Sequence, residues 1–366
     1  MKKSCLFQVI TISLLSTGCA TLSGSGDNVD LDKYSFNANY LDLPHRALDT
    51  SYRTYYVKIE ATPGVALSFL GEKPEDMVAI TGWRKLVGNA HINVIPRCEE
   101  VLIDNTDIME RAEAIKDKNG VQTGTRKYYY VRISYTFAAQ VKVTDYKGNI
   151  LLNYSLANRE SKQTFNTQEF STYNDASYYW KYQFLIVTRE IIRKEVAETL
   201  RQLSTDLTYN YGFTPRSVND FLWIVDSKKH PEYYDHRKAW VNFKQAMFQM
   251  SCEQPLDEVK ELMKPVIAYF ENVRKKYNSD SKGDRKMRYA SCYNLAKIYY
   301  YLDDPDAAMR EAGLLMLADY DEKDGKRLEA SAMELKNMLR LNKLTTRHFS
   351  INAEQYLGPG MSSAGL

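Results

Sequence analysis

The most regular pattern in the chain is a run of apolar residues at every second position, from Val131 to Val143. Polar residues occupy most of the positions between them, so a β-strand here has one apolar and one largely polar face. Residues 145–149, Asp-Tyr-Lys-Gly-Asn, have turn chemistry, and the alternation resumes over 152–156. The pattern predicts a long antiparallel hairpin, bent near 138–139 because one flat strand of this length would be unusual.

Shorter elements are predicted on the N-terminal side of this hairpin. Residues 55–60 alternate in the same way and predict a strand that ends at the turn residues 61–64. Further candidate strands lie at 78–81, 91–95 and 101–103. Asp107 to Lys116 is predicted to form a short helix, with Asp107 as its N-cap.

A long helix is predicted after the hairpin, from Ser177 to Leu207. Its apolar residues fall on one stripe, which comprises Leu185, Ile192, Val196, Leu200, Leu203 and Leu207. Packing this stripe across the apolar face of the hairpin gives an α+β domain over residues 34–212, with an antiparallel sheet and one covering helix.

The chain from 213 to 349 shows helical periodicity and no convincing strand, so an all-α domain is predicted after the boundary at Thr214–Pro215. The predicted helices are Val218–Ser227, Arg237–Met250, Leu256–Tyr277, Arg285–Leu302, Pro305–Tyr320 and Lys326–Leu341. Short loops between them indicate antiparallel neighbours. The tail, residues 350–366, is rich in Gly and Ser and is predicted to be disordered.

One helix pair in this half resembles a tetratricopeptide (TPR) repeat. Leu295, Ala296 and Tyr299 match the Leu, small and Tyr positions of the first TPR helix, and Ala308 matches the small residue where the second helix crosses it. Later positions of the second helix depart from the TPR pattern. A generic helical bundle is the alternative. It implies a TPR-like stack with a concave surface suited to peptides or partner subunits.

The first residues of the chain have the organisation of a secretory signal. Met1-Lys2-Lys3 is basic, residues 6–15 are mostly apolar, and a membrane-spanning helix would need about 20 such residues. Leu15-Ser16-Thr17-Gly18-Cys19 then resembles the lipobox of bacterial lipoproteins, although Ser16 stands where Leu is commoner. The resemblance implies removal of residues 1–18 by cleavage between Gly18 and Cys19, and lipid on Cys19. An ordinary secretory signal is the alternative.

Residues 19–33 are small and polar at their start, and they predict a flexible tether. No Asp follows Cys19 directly. Under the sorting rule of the lipoprotein family, this implies the outer membrane, and the lack of an acidic stretch after Cys19 favours its periplasmic face. The predicted location is therefore the cell envelope, with the membrane bound through the lipid.

Composition excludes some partners and leaves the cysteines open. The chain has 49 basic and 46 acidic residues, which is too balanced for nucleic acid binding. Of five cysteines, three remain after Cys5 leaves with the signal and Cys19 takes the lipid. Cys252 and Cys292 are candidates for a disulfide, and the alternative is that all three are buried as small apolar residues.

The residue spacings that common reactions require are missing from the sequence. It contains no Gly-x-Ser-x-Gly, no phosphate-binding Gly-x-x-x-x-Gly-Lys and no His-Glu-x-x-His motif. His230 and His236, with acidic residues between them, match no usual zinc pattern, and the segment is predicted to be an exposed loop. We therefore predict no catalytic residues, no metal site and no cofactor.

Three functions remain. The first is a non-enzymatic protein-binding or assembly factor of the envelope, whose partner is another envelope protein or peptide. The second is a glycan or peptidoglycan binder that uses exposed tyrosines, since the chain has 28 of them, many in clusters. The third is a hydrolase whose carboxylates are distant in sequence and meet only in the fold. The adjacent pairs Glu99-Glu100 and Asp303-Asp304 have no accompanying catalytic signal.

The lipobox makes a direct prediction. Cys19→Ser removes the sulfur that takes the lipid, so the precursor should keep its signal and no lipidated form should appear. Metabolic labelling with a radioactive fatty acid, together with the size of the product, measures both effects. If the Cys19→Ser protein is cleaved as the parent is, the lipoprotein prediction is wrong.

Overall fold

The computed structural model describes residues 29–46 and 48–360. Within them a sheet-rich N-terminal region is followed by helices, as the sequence predicted. Gly18 and Cys19 lie outside the described residues. Across the described part of the chain, the structure contains no helix that is both long enough and apolar enough to span a membrane.

The described residues form eleven strands and seven α-helices. The strands are β1 (Leu31–Asp42), β2 (Thr54–Val57), β3 (Glu60–Ala61), β4 (Arg84–Lys85), β5 (Ile92–Cys98), β6 (Leu102–Lys116), β7 (Gln122–Thr136), β8 (Ala139–Asp145), β9 (Ile150–Ala157), β10 (Gln163–Asn166) and β11 (Thr214–Val225). The helices are α1 (Pro63–Ser68), α2 (Tyr173–Tyr211), α3 (Tyr233–Gln249), α4 (Asp257–Lys276), α5 (Lys282–Tyr301), α6 (Pro305–Leu317) and α7 (Glu322–Leu341).

The predicted hairpin turn is confirmed at residues 145–149. β8 and β9 pair antiparallel across it, and the Asp145 carboxylate accepts hydrogen bonds from the backbone N–H of Lys147 (2.9 Å) and of Asn149 (2.8 Å). Gly148 adopts φ +90°, which other residues rarely do. β8 also pairs with β5, and β5 with β2, in the larger sheet of the N-terminal region.

The predicted long strand is divided into two. β7 ends at Thr136 and β8 begins at Ala139, and the two belong to different sheets. β7 pairs instead with β6 and β10. The prediction of a helix over Asp107–Lys116 is therefore wrong, because these residues form most of β6. Their helix propensity is outweighed by a nearly continuous ladder with β7, which tertiary pairing often achieves.

The long helix is confirmed and is longer than predicted, since α2 begins at Tyr173. The Thr172 side chain accepts a hydrogen bond from the N–H of Asp175 (3.1 Å) and caps it. The C-terminal part of the predicted stripe packs into one core with residues of β7 and β8. This part of the stripe comprises Ile192, Val196, Leu200, Leu203 and Leu207. Leu185 does not follow the prediction: it lies on the same side of α2 as the exposed Tyr182 and Ile186, and its side chain is 77% exposed.

The helix predicted at Val218–Ser227 is wrong, because Thr214–Val225 is β11. It pairs antiparallel with β1 along twelve residues, from Leu31↔Val225 to Asp42↔Thr214. Leu222 and Ile224 are buried on one face, whereas Phe221 and Trp223 pack on the other. Apolar residues on both faces remove the polar alternation by which a strand is recognised.

The β1–β11 ribbon links the two halves of the chain. Residues 31–33, which the sequence placed in the tether, are the start of β1. Phe36 and Tyr40 of β1 pack into the same core as α3, α4 and α5. The remaining predicted helices agree with α3 to α7 within a few residues at most ends.

Residues 350–360 belong to the tail that was expected to be disordered. The structure places them beside the N-terminal region, where the Arg84 guanidinium donates to the Tyr356 carbonyl (3.1 Å). The Gly358 backbone lies so close to the Asn89 carbonyl that a Cβ at this position would clash with it.

The segment His230–His236 is not the exposed loop that the sequence predicted. Glu232 is buried and accepts hydrogen bonds from the Tyr269 hydroxyl (2.9 Å) and the Lys276 ammonium (2.6 Å). His236 is fully buried in α3, and its Nδ1 accepts from the N–H of Val225 (3.1 Å). No group of three potential metal ligands occurs here or elsewhere among residues 29–46 and 48–360.

The buried His236 predicts a stability that falls with acid. Burial lowers the pKa of His236 from 6.5 to about 3, so the folded protein keeps the imidazole neutral. The unfolded chain binds a proton as the pH falls through 6.5, and each further pH unit costs the fold about 1.4 kcal/mol until about pH 3. In His236→Gln this contribution should vanish, which urea unfolding at pH 7 and pH 5 measures. An unchanged pH dependence would contradict the assignment.

Candidate functional site

A groove runs between α7 and the β1–β11 ribbon, with α5 beneath it. It comprises two adjoining hollows of about 310 and 330 Å³, which share Tyr40 and Tyr300. The residues that line the two hollows are Tyr40, Asp42, Leu43, His45, Arg216, Val218, Asn219, Asp220, Ala296, Lys297, Tyr300, Tyr301, Arg327, Leu328, Ser331, Glu334, Leu335, Met338 and Arg347.

One face of α7 forms a wall of the groove. Its lining residues lie at spacings of one, three or four from Arg327 to Met338, which places them along one side of a helix. This wall is about 16 Å long at 1.5 Å per residue. Leu328 and Leu335 are buried at its base, whereas Ser331 and Glu334 reach further outward.

The β11 side of the groove carries paired charges. Arg216 lies 2.8 Å from Asp42, and Lys297 of α5 lies 2.6 Å from Asp220. The Tyr301 hydroxyl also donates to Asp220 (2.6 Å). Since positive and negative groups alternate along this wall, the groove has no strong preference for a polyanion or a polycation.

A buried ion pair stands at one end of the groove. Arg347 Nε lies 2.7 Å from Asp303 Oδ1, and both side chains are almost fully buried. Asp303 also accepts from the N–H of Arg347 (2.6 Å) and from the Thr346 hydroxyl (2.8 Å). Although burial disfavours the charged guanidinium, the adjacent Asp303 raises the pKa of Arg347.

The same arginine contacts two tyrosines that both hollows share. The Arg347 guanidinium lies 4.1 Å from the ring centre of Tyr40 and 4.8 Å from that of Tyr300, and it donates to the Tyr300 carbonyl (2.9 Å). Burial raises the pKa of Tyr40. These contacts tie the end of α5, the ribbon and the C-terminal segment together beneath the groove.

The residues that matched the TPR pattern pack inside the helical half, as they would in any helical bundle. Leu295, Ala296 and Ala308 are buried, and Tyr299 is half-buried. Ala296 also lines the groove. Its small side chain leaves space beside Tyr300.

The candidate disulfide is not formed. Cys252 and Cys292 are both free: Cys292 is buried midway along α5, and Cys252 lies in the loop before α4. Burial raises the pKa of the Cys292 thiol to about 12. Cys98 is free and buried as well, so Cys98 and Cys292 fit the alternative of small buried residues.

The carboxylate pairs that the sequence singled out take part in structural contacts. Glu99 pairs with Arg159 (3.2 Å), and Glu100 accepts from the N–H of Gly64 (3.0 Å). Asp303 holds Arg347, and Asp304 caps α6.

A second exposed surface occupies the first half of α2. Tyr178, Tyr182, Leu185 and Ile186 follow one another along one side of the helix, and each is at least 60% exposed. The rings of Tyr178 and Tyr182 stack with centroids 6.4 Å apart. Large apolar groups concentrated in this way usually mark a surface that meets another molecule.

The groove could not be located from sequence, because its residues come from positions 40 to 347 and carry no shared motif. The signal that could have revealed β11 was the short, continuous run of aromatic and aliphatic residues from Phe221 to Val225, which is typical of a strand buried on both faces. Comparison of the chain with models of known protein families and with curated proteins returned no match.

The buried pair makes a prediction about stability. Arg347→Ala leaves Asp303 buried without its partner and should lower the free energy of unfolding by about 3–5 kcal/mol. The control is Arg216→Ala, which breaks the more exposed pair with Asp42 and should cost at most about 1 kcal/mol. Urea unfolding at pH 7 measures both.

Equal losses in the two variants would contradict the assigned role of Arg347. If Arg347→Ala fails to fold, the double variant Asp303→Asn with Arg347→Met should restore folding, because it removes both charges together and Asn tolerates the positive φ of residue 303.

Proposed function

We propose that the protein is a non-enzymatic lipoprotein of the cell envelope that binds a segment of another protein in the groove. The groove carries this proposal: its base is lined by apolar and tyrosyl side chains, and its walls bear charges of both signs. Such a surface resembles the interfaces of proteins with other proteins, which combine an apolar centre with a polar rim. Fold alone does not decide function, so the proposal rests on the groove and on the lipobox resemblance.

The helical half supports the same proposal. α5 and α7 both line the groove, while α6 lies between them in the chain. A TPR-like stack of helix pairs would present a concave surface in this way. We therefore propose that α3 to α7 form a TPR-like unit whose inner side is closed by the β1–β11 ribbon.

The lipobox gives the proposed location. Lipid on Cys19 would hold the protein at the outer membrane, facing the periplasm, where anchoring by two or more acyl chains is stable. Residues 19–28 would span at most about 35 Å when extended, so the folded part would stay close to the membrane surface.

Glycan binding is the second candidate, and one observation favours it. Tyr178 and Tyr182 present stacked, exposed rings on α2, and such rings suit stacking on sugars. Sedimentation with purified peptidoglycan distinguishes the two functions, with Tyr178→Ala/Tyr182→Ala as the variant. Loss of co-sedimentation in that variant would favour glycan binding. If the parent protein does not sediment with peptidoglycan, glycan binding is excluded. A carboxylate-dependent hydrolase remains the third candidate.

Filling the groove should abolish partner binding. A photo-crosslinking amino acid at Glu334, in the groove, should give a discrete crosslinked product in living cells, whereas the same group at Glu329, on the outer side of α7, should not. Ser331→Trp occupies the groove and should reduce the product at least tenfold. Met333→Trp places the same side chain on the outer side of α7 and should leave it unchanged.

Both tryptophan variants should unfold at the same urea concentration as the parent, which confirms that the fold is intact. If Glu334 gives no crosslinked product, or if Ser331→Trp leaves it undiminished, the groove is not the binding site.

A further inference from the structure

The outer edge of β11 is open at one point. β11 pairs with β1 on one side, and no bulge interrupts their ladder. In an antiparallel pair, alternate residues direct their backbone N–H and C=O away from the partner strand. Asn294 identifies which ones: its side chain accepts from the N–H of Trp223 (2.8 Å) and donates to the carbonyl of Trp223 (2.8 Å). Since the backbone N–H and C=O of Trp223 point away from β1, those of Phe221, Asn219 and Ser217 do so as well.

Most outward groups near Trp223 are already bonded. The N–H of Val225 donates to His236, and that of Phe221 donates to the Asp220 carboxylate (2.8 Å). Within the described part of the chain, the backbone N–H and C=O of Ser217 and Asn219 have no hydrogen-bond partner outside β11. Both residues are exposed, and the wall of the groove passes directly beside them.

We infer that the partner enters the groove as an extended segment that adds to β11 as a third strand, bonded to Ser217 and Asn219. This inference rests on the proposed function and specifies how the groove recognises its partner. Donors and acceptors that repeat every second residue along a strand edge are complementary to another extended backbone.

The opposite edge of the ribbon is already hydrogen-bonded to another part of the chain at one position. The N–H of Leu41 on β1 faces outward, opposite Pro215, and donates to the carbonyl of Arg347 (2.9 Å). The chain's own C-terminal segment therefore occupies the β1 edge beside the groove. The backbone groups of Ser217 and Asn219 on the β11 edge stay available for hydrogen bonds with a second chain.

The groove also specifies the pattern of the added segment. Val218 and Asp220 lie on the face of the ribbon that carries Tyr40, and they line the groove. Alternate side chains of an added strand would point into the groove toward Tyr300, and the others would point to solvent beside Ser217. The wall of α7, about 16 Å long, accommodates about five residues at 3.3 Å each. The partner segment therefore alternates apolar and polar residues over about five positions.

Proline at position 217 tests strand addition without altering the groove side chains. Ser217→Pro removes an outward N–H, and Pro215 shows that an outward position of this edge accepts proline. Ser217→Ala is the matched control, because it removes the hydroxyl and keeps the N–H. The probe is a ten-residue peptide selected from a random display library on the folded parent protein, and its affinity is measured by fluorescence anisotropy.

The selected peptides should alternate apolar and polar residues. Ser217→Pro should weaken binding at least tenfold, and Ser217→Ala by less than threefold. Methylation of alternate peptide nitrogens should abolish binding in one register and spare it in the other. Binding that is equal in Ser217→Pro and the parent, or selection that yields no binder, would overturn strand addition.

The two proposals fail in different ways. If the crosslink at Glu334 is lost in Ser331→Trp but the peptide binds Ser217→Pro as it binds the parent, the groove binds protein by side-chain contacts alone. If the crosslink is absent altogether, protein binding in the groove fails, whatever the behaviour of Ser217→Pro.

Discussion

The pairing of β1 with β11 is the constraint on which the rest of the molecule depends. It brings residues 31–42 against residues 214–225, so a strand from the start of the described chain becomes part of the helical half. Because the twelve residue pairs have side chains on two faces, the ribbon contributes to more than one core. Leu222 and Ile224 join the core of α3 to α5, whereas Phe221 and Trp223 pack against Tyr293 of α5.

The groove follows from how this ribbon meets the helices. Asn294 and Lys297 of α5 bond to Trp223 and Asp220 of β11. On the side of Asp220 that leads back to Thr214, β11 extends past the end of α5 at Tyr301. The space left there is bounded by α7. The buried pair of Asp303 and Arg347 closes its end, because it brings the C-terminal segment under Tyr40 and Tyr300.

The elements that sequence predicted well are those whose pattern is set by local geometry. The turn at residues 145–149, the long helix α2 and the helices α3 to α7 each have a periodic stripe or specific turn residues. The sequence failed where pairing partners are distant. Residues 107–116 have helix-forming side chains but pair with β7. Residues 221–225 are apolar on both faces and pair with a strand about 190 residues earlier. Both are cases in which tertiary contact outweighs local preference.

The site cannot be predicted from the sequence for the same reason. Tyr40, Asp220, Tyr300 and Arg347 acquire their arrangement only when the ribbon has formed and the C-terminal segment has returned to it. Cys19 is different, because lipidation would be read from a short linear motif. Sequence therefore predicts a lipid anchor, and the fold is needed to propose what the protein binds.

Amide hydrogen exchange along β11 of the free protein, followed residue by residue by NMR, tests the open edge most directly. Arg216 and Val218 bond to β1 and should exchange slowly, as should Trp223, whose N–H is held by Asn294. Ser217 and Asn219 should exchange orders of magnitude faster, near the rate of an unstructured peptide. Equal protection of all these amides would show that the edge is already occupied and would contradict a groove that is open to a partner strand.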